Sequence, residues 1–229
     1  LLTQAEVARI VLDMHTPDRT IVLGGDCSVS QVPFDYMHGR YPEHTGLIWL
    51  DAHPDVASVK DSNHLHEMVL ANLMGRGARE GAPGVLAYVE HPFAPEDVLF
   101  AGLVESDLRP MDHAVRDLGM RVVAPEDLER TGMAICEWIK ERGLKQVLVH
   151  WDLDVLAPSD FRSILPGEPH TDPASFGAAV GRMTIAQVVR TLRDISVYAD
   201  IVGLTLAEHM PWDAIRLRNE LANVPIFQD

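Results

Sequence analysis

Two short apolar runs of β character, residues 46–50 and 146–151, each stop at a group of acids. The first run is followed by Asp51, His53 and Asp55 in WLDAHPDV, and the second by Asp152 and Asp154 in VHWDLDVLAP. This placement is a strong constraint, because open parallel sheets hold their ligands just outside the carboxyl ends of their strands. Four carboxylates and one imidazole from two neighbouring strands form a hard, oxygen-rich set whose negative charge calls for a cation. A carboxylate can bridge two cations, and a water shared by a cation pair is a nucleophile near neutral pH, so the pattern points to hydrolysis. Alternate residues of an extended segment share a face, so Asp51, His53 and Asp55 converge if strand geometry continues past Leu50. The same arithmetic applies to Asp152 and Asp154. Taken singly, Asp51, His53 and Asp55 read more readily as ligands than as a solvated acidic turn, whereas Asp152 and Asp154 read more readily as two surface acids of a loop; two such groups in one sheet make the joint reading the stronger one. A third segment, LGGDCSVS, offers Asp26 and Cys27 as further ligands.

The surrounding pattern fits a sheet of this kind. Helical periodicity over 3–14 is followed by a strand at 20–23, a turn at Gly24 and Gly25, a helix over 28–38, the strand at 46–50 and a helix over 65–74. Strands are then predicted at 98–104, 121–123, 146–151 and 200–206, with helices over 111–118, 131–142, 184–193 and 211–221. Such alternation predicts an α/β fold in which helices cover both faces of a parallel sheet. The stretch 158–181 is rich in Pro, Gly, Ser, Ala and acids, and is too long for a routine connection, which marks it as a functional loop.

At 229 residues and 47% hydrophobic, the chain has material for a substantial core. A net charge of -15 argues against nucleic-acid or anionic-membrane partners, which require clustered Lys and Arg, and favours a metal or a cationic substrate. Two cysteines give no disulfide framework, so a reducing cytoplasm is the expected location. No apolar run reaches membrane length, and the first residues read as an amphipathic helix rather than a signal peptide.

In order along the chain, GGDCS, DAHPD, HLHEMVLANLMG, WDLDVLAP and AEHMP resemble the ureohydrolases, the family of arginase, agmatinase and formiminoglutamase. The resemblance runs over residues 24–211 and implies a three-layer α/β/α sandwich around a mainly parallel sheet, with two manganese ions activating a bridging hydroxide. It implies that Asp51 and Asp152 bridge the ions, that His53 and Asp154 complete one site, and that Asp55 belongs to the other. It further implies that Glu208 holds a guanidinium cation and that His66 passes a proton to the leaving amine, with Asp154 completing the catalytic set. His64, two positions earlier, is the rival proton carrier. Glu105 and Asp107 match acids that read the far end of the substrate. Only residues 1–23 precede GGDCS, so the expectation is a single domain over 1–229 that lacks the family's N-terminal strand and loop.

Several positions depart from the family pattern. Cys27 stands where a histidine ligand is expected, and a thiolate is softer than imidazole and poorly matched to manganese. Three outcomes follow for the second site: a weakened pair, another metal such as zinc or iron, or a single ion on the His53 side. Cys27 can equally be a small buried residue between turn and helix. Glu67 replaces a usual glycine, Arg109 falls where a later acid is expected, and Ala157 stands where an Asp normally precedes the Pro. His150 and Trp151 replace a usual small hydroxyl residue and its neighbour, altering the groups that orient the ligands.

The implied activity is metal-dependent hydrolysis of a guanidino C–N bond with release of urea, on arginine or a modified arginine such as N-hydroxyarginine. The alternatives are a formiminoglutamase or agmatinase type of amidine hydrolysis, or a member that has lost catalysis and acts as a scaffold. The implied partners are a small cationic substrate and further copies of the chain in a homo-oligomer.

Overall fold

A computed structural model describes residues 2–79, 89–212 and 214–227. Six strands form one sheet: β1 (Thr20–Leu23), β2 (Thr45–Leu50), β3 (Val98–Ala101), β4 (Arg121–Val123), β5 (Gln146–Asp152) and β6 (Asp200–Ala207). All pairings are parallel, in the order β1-β6-β5-β2-β3-β4. From β2 the chain steps outward through β3 to β4, then returns to lay β5 on the other side of β2. The strand order therefore reverses between β2 and β5, the point at which open parallel sheets form a ligand crevice at the carboxyl ends of their strands.

Both faces of the sheet are covered, which is why β2 is buried along its whole length and shows no polar alternation. Ile48, Leu50, Val147, Val149 and Trp151 point to one face, where they meet helices α6 (Met133–Arg142) and α7 (Ile185–Ser196) through Ile135, Trp138, Ile139, Val188 and Leu192. Leu47, Trp49 and Leu148 point to the other, against Phe34 and Met37 of α2 (Gln31–Arg40) and Val69, Leu70 and Leu73 of α3 (Val69–Leu73). The predicted three-layer α/β/α sandwich is the fold. Helix α7 shows how sequence builds a layer. Thr184 and Gln187 form a reciprocal capping box at its start, and Ile185, Val188, Val189, Leu192 and Ile195 supply its buried stripe. The remaining helices are α1 (Leu2–His15), α4 (Arg76–Arg79), α5 (Ala114–Asp117) and α8 (Ala214–Leu221).

Several predicted elements are shorter than expected. The strand predicted over 98–104 ends at Ala101, because Gly102 has φ 84° and turns the chain. The helix predicted over 65–74 divides into a 3-10 turn, His66–Met68, and α3. The amides of Leu70 and Ala71 donate to the Asp55 carbonyl at 3.1 and 3.3 Å, so they are not available to continue a helix from 65. The helix predicted over 28–38 likewise begins as a 3-10 turn, Cys27–Ser30. The 158–181 stretch contains only short 3-10 turns, and its ends are clamped where Ala157 N donates to Met183 O (2.7 Å) and Met183 N to Val155 O (3.1 Å). Both cysteines are free and buried. Among the described residues no helix is long and apolar enough to cross a membrane.

Candidate metal centre

Three strands deliver side chains to the crevice by one local device. At the ends of β1, β2 and β5 an aspartate accepts a hydrogen bond from the backbone amide two residues on: Asp26 from Ser28 (2.9 Å), Asp51 from His53 (2.7 Å) and Asp152 from Asp154 (2.7 Å). Such Asx turns compete with continued strand, and they fold each segment back on itself. Convergence of Asp51, His53 and Asp55 through persisting strand geometry is thus corrected. β2 ends at Leu50, the Asx turn brings His53 round, and Asp55 reaches inward from a left-handed backbone (φ 50°). Asp154 lies in the 3-10 turn Leu153–Val155.

The donors fall into two groups that share Asp51, each with ligand atoms all within 4.8 Å of one another. One is Asp51, His53 and Asp154, with His53 Nδ1 at 3.4 Å from Asp51 Oδ1 and 3.2 Å from Asp154 Oδ2. The other is Cys27, Asp51, His150 and Asp152, in which the Cys27 thiol donates to Asp152 Oδ2 at 3.0 Å. Asp55 adjoins this second group through Asp51 and Cys27. His150 was expected only as an altered neighbour of the ligands; the structure puts it among them. The signal was present in the sequence, since residues 150 and 152 share a strand face. Asp26, by contrast, acts as a cap and is in neither group.

Burial and mutual repulsion together perturb the acids of the cluster. Burial, then Asp152, raises Asp51 from 3.8 to about 6; burial first also holds Asp55, Asp152 and Asp154 above the ordinary carboxylate value. Burial pushes the Cys27 thiol up, with Asp55 adding to it, and lowers His150 to about 3, leaving its imidazole neutral. Although burial opposes it, Asp154 and Asp51 hold His53 well above its usual value. His53 Nε2, Asp55 Oδ2, Asp154 Oδ1 and His150 Nε2 are buried without a hydrogen-bond partner among the described residues. Buried polar atoms are rarely left unmatched. This donor set of carboxylates, imidazoles and one thiol fits divalent cations.

Glu208 follows β6 at φ 61°, pinned where its amide donates to the Gly25 carbonyl at 2.9 Å. Burial first, and then Asp152 and Asp154, raise its carboxyl from 4.5 to about 8, which places it in the field of the cluster. His66 is half-buried and belongs to neither donor group around Asp51; its ring stacks on the exposed His64 at 5.4 Å, and both group with Glu67. Glu105 and Asp107 lie beyond the carboxyl end of β3 in an exposed 3-10 turn, with Asp107 at 3.7 Å from Arg182. Two departures from the family pattern meet in space, since Arg109 Nη1 pairs with Glu67 Oε1 at 2.7 Å while its Nε holds the buried Asp112 at 3.0 Å. Glu67 and Arg109 are separate departures along the sequence, and only the fold joins them.

Comparison with known proteins agrees with this geometry. Arginase from Bacillus caldovelox is 31% identical over 151 residues, covering 61% of this chain and 48% of that protein. Human arginase-1 is 24% identical over 202 residues, covering 84% and 58%. The chain spans about half the length of the curated relatives it matches. In fold, it superposes on the solved Bacillus subtilis arginase with a TM-score of 0.71 at 21% identity, over 98% of this chain and 73% of that one. On the proclavaminate amidino hydrolase of Streptomyces clavuligerus the TM-score is 0.69 at 19% identity, over 100% and 70%. Since the Arginase family model matches residues 2–215, a span that contains every one of the strand-end acids, the chain belongs to the arginase family.

Proposed function

We propose that this protein is a metal-dependent amidinohydrolase that cleaves a guanidino C–N bond and releases urea, with manganese as the first candidate ion. The observation that carries the reading is the buried set of Asp51, His53, Asp55, Asp152 and Asp154 at the β2/β5 reversal, with unmatched ligand atoms on His53, Asp55 and Asp154. A divalent pair held there would acidify a water molecule into a nucleophile at neutral pH and stabilise an anionic oxygen. Asp51, common to both donor groups, and Asp152 would be shared between the ions, His53 and Asp154 would complete one site, and Asp55 with Cys27 would serve the other. Glu208 would hold the substrate's planar cation, since a carboxylate matches a guanidinium fork bidentately and keeps the central carbon in line. His66 would pass a proton to the nitrogen that leaves, a task suited to imidazole near neutral pH.

At the far end of the substrate, Glu105 and Asp107 would meet an amino group. Arg109 brings a cation to the same loop, where the family pattern implies an acid, and Asp107 already lies beside Arg182. This bears on the far end alone, which arginine and N-hydroxyarginine share, so it favours a linear amidine with a different far end over both and does not choose between the two. Exposed Val7, Ile10, Val11 and Met14 on α1, and Ile21 and Leu23 on the edge strand β1, support a homo-oligomer. Metal content per chain, followed by urea release from arginine, N-hydroxyarginine, agmatine and guanidino acids, tests the reading. Bound metal and turnover of one of these are expected; no metal and no turnover with manganese, zinc or iron supplied would sink it.

A further inference from the structure

The family pattern places the second site's imidazole at position 27, where this chain has Cys27, and it has a small hydroxyl residue at position 150, where this chain has His150. The two differences fall in one donor group: Cys27, Asp51, His150 and Asp152 offer ligand atoms all within 4.8 Å of one another. His150 is wholly buried, and its two ring nitrogens have unlike surroundings. Nδ1 lies 2.8 Å from Ser30 Oγ and 3.1 Å from Thr205 Oγ1, both able to accept its proton. Nε2 has no hydrogen-bond partner among the described residues and faces Asp51 Oδ2 at 3.8 Å. A proton on Nε2 would be a buried donor with no acceptor in reach, whereas a proton on Nδ1 is satisfied and leaves the Nε2 lone pair directed at the carboxylates. Metal-binding histidines show this division of labour, one nitrogen on the ion and the other anchored by a hydrogen bond. Trp49, stacked on the His150 ring at 3.7 Å, fixes its plane.

We propose that His150 is a metal ligand, supplying from strand β5 the imidazole that the turn after β1 no longer provides, and that with Cys27 it builds a second site selective for zinc, cobalt(II) or iron(II) over manganese. The selectivity follows from the donors, because adding a thiolate and an imidazole to shared carboxylates softens a site that oxygen ligands alone would keep hard. The inference rests on the metal-centre reading of the proposed function, and the two are separable by where an ion is lost.

The test uses the full chain, stripped with chelator and titrated with zinc, cobalt(II) and manganese, followed by metal analysis and calorimetry. Two zinc ions per chain are expected, the cobalt form showing a thiolate charge-transfer band that disappears in Cys27→Ser. His150→Ser should lose or weaken only the second ion, by more than the roughly 10–100-fold typical of an outer-shell partner, with the site lost in His53→Ala left intact. Because His150 is packed in the core, a measurement on the unmodified chain accompanies the variants: the 15N resonance of His150 Nε2 should move on zinc addition while Nδ1 stays protonated. An unmoved Nε2 resonance, or equal second-ion affinity in His150→Ser, overturns this inference alone. Failure of the chain to take up any ion overturns it together with the proposed function.

Discussion

Single residues in the crevice trade backbone comfort for position. Asp55 and Glu208, at φ 50° and 61°, both occupy the left-handed region, which side-chain-bearing residues visit rarely and which recurs where function over-determines the backbone. Glu208→Gln keeps the shape and removes the charge that would match a guanidinium, so turnover should fall by roughly 10²–10³-fold, in line with loss of a preorganised electrostatic contact. Steady-state kinetics on the best substrate check this, and an undiminished rate would remove Glu208 from the site. Gly181 has another role, since a Cβ there would stand 2.0 Å from the Asp154 carbonyl oxygen and 2.3 Å from the Val155 carbonyl carbon. Both obstacles are backbone and cannot rotate away. Gly181→Ala should therefore destabilise the fold by about 1–3 kcal/mol and displace the Asp154 turn, read as a lower urea midpoint and weaker metal uptake.

Elements meet at the site through loops rather than through regular structure. The 3-10 turn at His66–Met68 is tied to the β3 loop by the Glu67–Arg109 pair, whose side chains are 13% and 28% exposed, and Arg109 also holds Asp112, 4% exposed. A partly buried pair of this kind is worth more than a surface ion pair but carries a desolvation penalty. A double-mutant cycle on Glu67→Gln and Arg109→Met, followed by denaturation, should return a coupling of roughly 0.5–3 kcal/mol. Zero coupling would mean that the two loops are positioned independently. The pair also explains how a glycine-to-glutamate departure is tolerated beside the proposed proton carrier: the new carboxylate is neutralised from the neighbouring loop.

Across the whole molecule, the buried acids make stability depend on pH and on cations together. Asp51 goes from 3.8 to about 6, and Glu208 from 4.5 to about 8, so the folded chain binds these protons more tightly than the unfolded chain does. Between the ordinary and the raised value the native state holds the extra proton, and stability falls as pH rises through that interval. His53, held above its ordinary value of 6.5, acts in the same direction, since its contribution is also lost as pH rises through the folded value. His150, lowered from 6.5 to about 3, acts against them below 6.5 and offsets only part of the loss. Chelator-treated protein should thus melt at a lower temperature at about pH 8.5 than at about pH 5, and a divalent cation should restore more stability at the higher pH. Melting curves with and without chelator decide it. A chelated chain that grows more stable as pH rises would show that the acids are not buried together.

The strand ends and their acids were legible in the sequence because apolar runs make buried strands; the Asx turns after Asp51 and Asp152, although equally local, replaced the persisting strand geometry expected there. The three-layer sheet was legible too, since continuous apolar strands between helices have to be covered on both faces. What a linear reading could not supply were relations across the sheet. The partners of Glu67 and Arg109 lie 42 residues apart, and the Trp49↔His150 register puts an imidazole beside Asp51 only after β5 has returned to pair with β2. Sequence alone therefore determined which donors exist and at which strand ends they stand. The tertiary structure decided which of them share a cation site, because that depends on strand order, register and burial, none of which is a local property of the chain.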